Sequence, residues 1–182
     1  QVYLLGVSLG GSQIAHYLAK GKSMERVKAA AIISTPLDLG ASADFMGKGF
    51  SRNYVIRFRK SLLLKYRLKS ELIGDDSMAN KLAKAKTFWE LDNAATAPIH
   101  GFKDAAHYYS VMSSKNCLKD IPVPTLYLAS RDDPFVPEAS MPQKSEGMVS
   151  SVLTERGGHV GFVDHYGKSW MVPTVFKFLT EN

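Results

Sequence analysis

The chain has 182 residues, of which 45% are hydrophobic and 22% charged, and its formal net charge is +6. This composition is typical of a globular domain with a core of its own. The single cysteine, Cys117, excludes a disulfide framework and argues against a cysteine-based metal site, and no apolar run has the length of a membrane span. We expect a cytoplasmic protein, whose positive charge indicates either a lysine-rich solvated surface or attraction to phosphate groups and anionic lipid.

The first part of the chain alternates strand and helix. QVYLLGV predicts a buried strand over residues 1–7, and GGSQIAHYLAK predicts a helix directly after it, ending near Gly21. VKAAAIIST predicts a second buried strand over residues 27–35, which Pro36 ends.

The middle of the chain is predicted to be helical. Its sequence mixes aromatic, aliphatic and basic residues at helical spacing, which predicts helices over residues 50–72, 75–96 and 102–121. Asp75 to Ser77 provide a cap region for the second of these helices.

The last part returns to alternation. TLYLAS predicts a third strand, followed by the turn RDDPFVP, and SSVLTER predicts a fourth strand, followed by the glycine-rich loop GGHVGF and a terminal helix over residues 170–182. Strands that alternate with helices in this way predict an α/β fold with a parallel sheet of right-handed βαβ units.

GVSLG, residues 6–10, matches the nucleophile-elbow pattern of strand, tight turn and helix. On this hypothesis Ser8 is a nucleophile on a strained turn, a larger residue at either Gly6 or Gly10 would clash, and the N–H of Leu9 is an oxyanion donor. The alternative is a serine and glycine turn packed for space, or one that cradles a phosphate group.

An elbow serine needs an acid and then a base, in that chain order. Asp132 and Asp133 follow the third strand, and His159 lies in the loop after the fourth. All three positions follow the carboxyl ends of strands, where open α/β sheets build their sites. Taken singly, the aspartates could be turn formers and the histidine a structural loop residue, but the joint order favours catalysis.

Asp133 is the predicted acid because it directly precedes Pro134, and Asp132 is predicted to accept backbone N–H bonds within the turn. His165 is a rival base that lies beyond the loop. The remaining histidines are predicted to be structural or exposed: His16, His100 and His107. The sequence has no cluster with metal-ligand spacing and no phosphate-binding lysine loop, so we expect no metal and no cofactor.

Four segments together resemble the α/β-hydrolase superfamily, and within it the YheT-like (AB hydrolase-4) family: GVSLGG, FWELDNAATAPIHGFKDAAHYYSVMSS, IPVPTLYLASRDDPFVP and TERGGHVGF. The resemblance implies that Ser8 is the nucleophile, Asp133 the acid and His159 the base, with Leu9 at the oxyanion position. It further implies a serine hydrolase of carboxylic esters, such as an acylglycerol, another medium-chain lipid or a short ester.

Proteins of this family have about half a sheet before the elbow. We therefore expect residues 1–182 to be the C-terminal part of such a domain, with the strand of Ser8 as a hydrophobic edge. Such a chain is expected to pair with itself through that edge, to aggregate, or to need the missing N-terminal half.

Residues 37–98 are expected to form a cap over the site. Its apolar side chains either line an acyl pocket or pack on the core, and its cations either contact lipid head groups at a peripheral membrane surface or are solvated. The candidate lining residues are Phe45, Met46, Phe50, Tyr54, Phe58 and residues 62–64.

Two alternatives to ester hydrolysis stay open. One is an acyltransferase that uses the same triad to pass the acyl group to an alcohol. The other is a non-catalytic truncated α/β module. A nucleic-acid partner is not expected, because the basic residues form no recognised binding module.

Overall fold

A computed structural model describes residues 1–21 and 25–182. In these residues a parallel sheet contains four strands in the order β1 (Val2–Val7), β2 (Val27–Ile33), β3 (Thr125–Ser130) and β4 (Val149–Thr154). The sequence-based prediction of a parallel α/β sheet is confirmed. Because the strands are parallel, their carboxyl ends lie along one edge, and the turns that carry the candidate site residues start there.

The strand sequences reflect their positions in the sheet. Every residue of β3 is buried, and so is all of β2 except Lys28, which matches the continuous apolar runs of strands covered on both faces. β1 lies at an edge of the sheet and leaves apolar side chains exposed, among them Val2, Leu5 and Val7. Its edge position was predicted, and association through that edge stays a prediction.

Two layers of helix cover the sheet. Helix α1 (Leu9–Ala19) packs through Ala15 and Leu18 on one core cluster, which includes Tyr127 of β3. The C-terminal helix, α8 (Met171–Glu181), packs on a second cluster through Val175 and Leu179. Alternate residues of β2 and β3 enter the two clusters, as the period of two in a strand requires.

Residues Leu39–Val111 form a separate compact unit, and the sheet and its helices form the other, residues 1–38 and 112–182. The helices between the second and third strands are α2 (Leu39–Met46), α3 (Arg52–Ile73), α4 (Ser77–Lys84), α5 (Phe88–Leu91), α6 (Ala97–Ile99) and α7 (Ala105–Met112). A π-helical turn, Asp92–Thr96, joins α5 to α6. The assignment of residues 37–98 as a cap stays a prediction.

Two predicted helices are broken in the structure. The helix expected over residues 75–96 ends at Lys84 and restarts at Phe88, where the hydroxyl of Thr87 accepts the N–H of Glu90 at 3.2 Å and caps the new start. The helix expected over 102–121 is α7 followed by a 3-10 turn, Lys115–Asp120. Periodicity does not distinguish one helix from two when the interruption is only a few residues long.

None of the helices in the described ranges combines the length and the apolar character that crossing a bilayer requires.

Candidate active site

Ser8 lies at the turn between β1 and α1. Its backbone has φ 54° and ψ −131°, in the half of conformational space that non-glycine residues rarely enter. The turn is held at both ends, because the N–H of Ser8 donates to the carbonyl of Ile33 at 2.8 Å and its carbonyl accepts the N–H of Gly11 at 2.9 Å. Leu9 begins the helix, so its N–H is among those that a helix start leaves without an intrahelical acceptor. The turn has the strained backbone that the elbow hypothesis requires.

The glycines around Ser8 differ from the prediction. A Cβ on Gly6 would lie 2.7 Å from the carbonyl oxygen of Gly10, so this position requires glycine, as predicted. A Cβ on Gly10 would meet no described atom within 4 Å, so the predicted clash there is wrong. The second tight position is Gly11, where a Cβ would lie 1.9 Å from the Oγ1 of Thr35. Space is short at Gly11 because α1 packs against the segment that follows β2.

Asp133 and His159 are bonded to each other. The Nδ1 of His159 lies 2.9 Å from the Oδ2 and 3.1 Å from the Oδ1 of Asp133, whose side chain is fully buried. The Oδ1 of Asp133 also accepts the N–H groups of Phe135 at 2.8 Å and Val136 at 3.3 Å. The carboxylate is therefore fixed by its own turn, and it holds the imidazole through Nδ1, which leaves Nε2 on the opposite side of the ring.

Asp132 contacts the same loop in a different way. Its Oδ1 accepts the hydroxyl of Ser130 at 2.5 Å and the N–H groups of Gly157 at 3.0 Å and Gly158 at 2.8 Å. Burial by itself raises the pKa of Asp132, but these hydrogen bonds outweigh it and hold the pKa below its ordinary value. The predicted acceptor role is therefore correct. The predicted location is incomplete, because two of the N–H groups, those of Gly157 and Gly158, belong to the His159 loop and not to the turn of Asp132.

Glycines allow the backbone of the His159 loop to adopt its conformation. A Cβ on Gly157 would lie 2.7 Å from the ring of Phe162, and one on Gly161 would lie 2.9 Å from the carbonyl oxygen of Gly157. Gly158 has a positive φ of 58°. Phe162 is fully buried and packs edge-on against Trp170 at 5.7 Å, so the loop is anchored to the core just after His159.

The other histidines contact different parts of the molecule. The Nε2 of His16 lies 3.0 Å from the carbonyl oxygen of Met112, and its Nδ1 lies 3.5 Å from the Sγ of Cys117. The Nδ1 of His107 accepts the N–H of Lys103 at 3.2 Å. His165, the rival base, is exposed and stacks on Tyr166 at 3.9 Å. Among residues 1–21 and 25–182, no group of three or more His, Cys, Asp and Glu side chains is placed to hold a metal ion.

Sequence reasoning missed Ser34, which follows β2 at the same edge of the sheet. It has a positive φ of 49° and is fully buried, and its Oγ has no hydrogen-bond partner in the described part of the chain. Strained backbone and unsatisfied buried hydroxyls are concentrated at functional sites. The only signal in the sequence was a serine directly after a buried strand, which by itself is uninformative.

The strand order determines how far apart the candidate site residues start along the edge of the sheet. Ser8 follows β1, Asp133 follows β3 and His159 follows β4, so β2 separates the strand of the serine from that of the acid. Neighbouring strands lie about 4.8 Å apart, so roughly three strand spacings separate β1 from β4, and the loop that carries His159 has to cover most of that distance. The structure joins Asp133 to His159 directly and places Ser8 at the carboxyl end of the same sheet.

Comparison with known proteins gives consistent matches. The model of a family described as the alpha/beta hydrolase fold matches residues 1–166. YheT of Escherichia coli (strain K12), an esterase by its name, is 39% identical over 185 positions, which cover 97% of this chain and 54% of that protein. A monoacylglycerol lipase of Saccharomyces cerevisiae is 32% identical over 187 positions, covering 97% of this chain and 42% of the lipase.

Among solved structures, a meta-cleavage product hydrolase from Pseudomonas fluorescens superimposes with a TM-score of 0.53 at 18% identity. The superposition covers all of this chain and 65% of the hydrolase, and at this identity it bears on the fold alone. The chain spans about half the length of the curated relatives that it matches.

Proposed function

This chain belongs to the α/β-hydrolase fold family, and we propose on that premise that its protein is a serine hydrolase of carboxylic esters. The predicted likeness to YheT-like proteins agrees with the 39% identity to YheT. The observation that carries the proposal is the pairing of a buried carboxylate, Asp133, with the Nδ1 of His159.

The reaction begins with proton transfer from Ser8. The Nε2 of His159 takes the hydroxyl proton as the Oγ of Ser8 attacks the ester carbonyl. Asp133 keeps the imidazole in the tautomer with the proton on Nδ1 and stabilises the imidazolium that forms. The N–H of Leu9 donates to the oxyanion of the tetrahedral intermediate, where one donor contributes about 10²–10³ in rate.

The acyl-enzyme is then cleaved by water. Before that, the proton on Nε2 passes to the leaving alcohol, which leaves the acyl group on the Oγ of Ser8. The same nitrogen then takes a proton from the attacking water and returns it to that Oγ as the acyl–oxygen bond breaks. Transfer of the acyl group to an alcohol uses the same groups and stays the nearest alternative.

The proposed substrates are acylglycerols, other medium-chain lipid esters or short esters. Two named relatives support this class, one an esterase and the other a monoacylglycerol lipase. The choice among these esters is a prediction, since one fold hosts many reactions.

The test is covalent labelling with a fluorophosphonate probe, read by intact mass, together with turnover of p-nitrophenyl esters. Ser8→Ala is compared with Ser110→Ala, an exposed serine on α7. We expect one adduct and equal turnover in the parent chain and in Ser110→Ala, and neither in Ser8→Ala. An adduct that persists in Ser8→Ala contradicts the assignment. No adduct in any variant favours the non-catalytic module, and an ethyl ester formed in the presence of ethanol favours acyl transfer.

A further inference from the structure

The outward face of helix α3 carries a row of exposed leucines. Leu64, Leu68 and Leu72 are 61%, 56% and 86% exposed, and they follow one another at intervals of four residues. Four residues advance a helix by a little more than one turn, so the three side chains form one slowly turning row. We call these three residues the leucine row.

The opposite face of α3 supplies the packing of the helix. Val55 and Ser70 are buried, Tyr66 is half-buried, and Arg59 donates to the carbonyl of Ala85 at 3.2 Å. Helix α3 therefore has an inner face of the ordinary kind without using the leucine row. A surface helix normally places polar residues on its outer face, so a continuous outer row of leucine marks a contact surface.

Cations lie on both sides of the leucine row. At helical spacing, Lys60 and Arg67 fall on one side, and Lys65 and Lys69 on the other. The helix has seven basic residues and one acidic residue, Glu71, and the basic residues are Arg52, Arg57, Arg59, Lys60, Lys65, Arg67 and Lys69. An apolar row between two rows of long cationic side chains is the pattern of a helix that lies in a membrane interface.

The positive charges of α3 favour an anionic partner. A second copy of this face would bring two sets of cations together, which opposes self-association through it. An anionic bilayer surface satisfies both parts of the pattern, because head groups attract the cations and the acyl boundary accepts the leucines.

We propose that the outward face of α3 docks the protein on anionic phospholipid membranes. This binding site uses none of the candidate catalytic residues, and Leu64, a candidate lining residue of an acyl pocket in the sequence, is exposed on the outward face of α3. If both hold, the docked enzyme meets lipid esters at the surface where they are concentrated.

The test is sedimentation of the full chain with phosphatidylcholine vesicles that either contain or lack phosphatidylglycerol. The first variant replaces the leucine row: Leu64→Ser, Leu68→Ser and Leu72→Ser. Its matched control removes exposed apolar side chains from α8, with Val172→Ser and Phe176→Ser. The second variant neutralises four cations with glutamine, at Lys60, Lys65, Arg67 and Lys69. Its matched control neutralises four exposed lysines elsewhere, at Lys119, Lys144, Lys168 and Lys177.

We expect binding to vesicles that contain phosphatidylglycerol, with much weaker binding to phosphatidylcholine alone. Each leucine replaced by serine should weaken partitioning about tenfold, and each neutralised cation about fivefold at low salt. High salt should weaken binding of the parent through screening. Both control variants should bind like the parent. All replaced side chains are exposed, so circular dichroism should show an unchanged fold.

Three outcomes overturn the proposal. The parent fails to sediment with anionic vesicles, or the two α3 variants bind as well as their controls, or neutral vesicles bind equally well. A dimer of the parent that the leucine replacements dissociate would instead assign the leucine row to an interface between copies.

Discussion

The sheet unit and the helical unit each contain an aspartate whose surroundings shift its pKa, and the shifts have opposite signs. Asp132, in the sheet unit, has its pKa lowered because the hydrogen bonds from Ser130, Gly157 and Gly158 outweigh desolvation. Asp92, in the helical unit, has its pKa raised because desolvation outweighs the hydrogen bonds from Thr96 and Tyr109, both 2.5 Å long. Burial opposes the charged form in both, and the hydrogen bonds decide the outcome.

Asp132 and Asp92, whose pKa shifts are opposite, accept hydrogen bonds from different kinds of donor. Asp132 receives two backbone N–H groups from a loop that it holds in place, so its charge contributes to the geometry next to His159. Asp92 accepts hydrogen bonds from two hydroxyl groups inside a packed helical region, where burial disfavours its charge. Asp132 therefore bonds to main-chain N–H groups beside the candidate site, whereas Asp92 bonds to side-chain hydroxyls in the helical unit.

The largest expected effect comes from Asp133→Asn. The amide would donate to the Nδ1 of His159 and force the imidazole into the tautomer whose Nε2 carries the proton, so Nε2 could not act as a base. We expect the kcat of ester hydrolysis to fall about 10³–10⁴-fold, as measured on p-nitrophenyl esters. Asp164→Asn, in an exposed turn, is the control and should keep parental turnover. A kcat within tenfold of the parent in Asp133→Asn would contradict the assigned role.

Gly11→Ala tests the close packing of the elbow helix, α1, against the side chain of Thr35. Its new Cβ would collide with the side chain of Thr35, so the free energy of unfolding should fall by about 1–3 kcal/mol. Gly10→Ala is the matched control, since it meets no described neighbour and should be neutral or stabilising by up to about 1 kcal/mol through helix propensity. Urea denaturation measures both.

Thr35→Ala in the Gly11→Ala background should recover most of the lost stability. Alanine at position 35 lacks the Oγ1 and Cγ2 atoms, which would lie 1.9 Å and 3.1 Å from the new Cβ. Equal effects of alanine at Gly10 and Gly11 would show that the packing against Thr35 is not what requires glycine.

Asp132→Ala tests whether the carboxylate holds the His159 loop. The loss of three hydrogen bonds should displace the imidazole and lower kcat about ten- to hundredfold, with little change in KM. Asp164→Ala removes a carboxylate that also accepts two backbone N–H groups, from Tyr166 and Lys168, and it should leave kcat unchanged.

A readout without activity completes the Asp132 test. In the parent, the amide protons of Gly157 and Gly158 should exchange slowly with solvent, and in Asp132→Ala they should exchange faster, as measured by NMR. Slow exchange in the variant would show that other contacts hold the loop.

The smallest effect is the opposite pH dependence of the two aspartates. The unperturbed pKa of both is 3.8. Asp132 has a lowered folded-state pKa, so its contribution to stability is present above 3.8 and is lost as pH falls through the folded value. Asp92 has a raised folded-state pKa, so its contribution is present below 3.8 and is lost as pH rises through the folded value.

Replacing Asp92 or Asp132 by asparagine removes the carboxyl group that titrates at that position. Denaturation at several pH values should show that the free energy of unfolding of Asp92→Asn rises relative to that of the parent as pH rises above 3.8. The free energy of unfolding of Asp132→Asn should fall relative to that of the parent as pH rises toward 3.8. The same sign for both variants would contradict the contrast between the two units.

The sequence by itself determined the order of the four described strands and the chain positions of the candidate site residues. Apolar runs identified β2 and β3 because residues buried on both faces leave few polar positions, whereas β1 and β4 were identified from shorter apolar stretches before a turn. Ser8, Asp133 and His159 could be chosen because each follows a strand, and parallel strands bring their carboxyl ends to one edge of the sheet. The pairing of Asp133 with His159 follows that choice.

Contacts between distant segments were decided only by the tertiary structure. Asp132 was expected to bond within its own turn, but it reaches Gly157 and Gly158, 25 and 26 residues away. The tight glycine is Gly11 and not Gly10, because Thr35 approaches from another element. The hydroxyl of Ser34, which has no partner within residues 1–21 and 25–182, and the exposed leucine row of α3 likewise depend on which neighbours pack on each side chain. Local patterns encode burial and backbone conformation, whereas only the packed chain fixes which distant atoms meet.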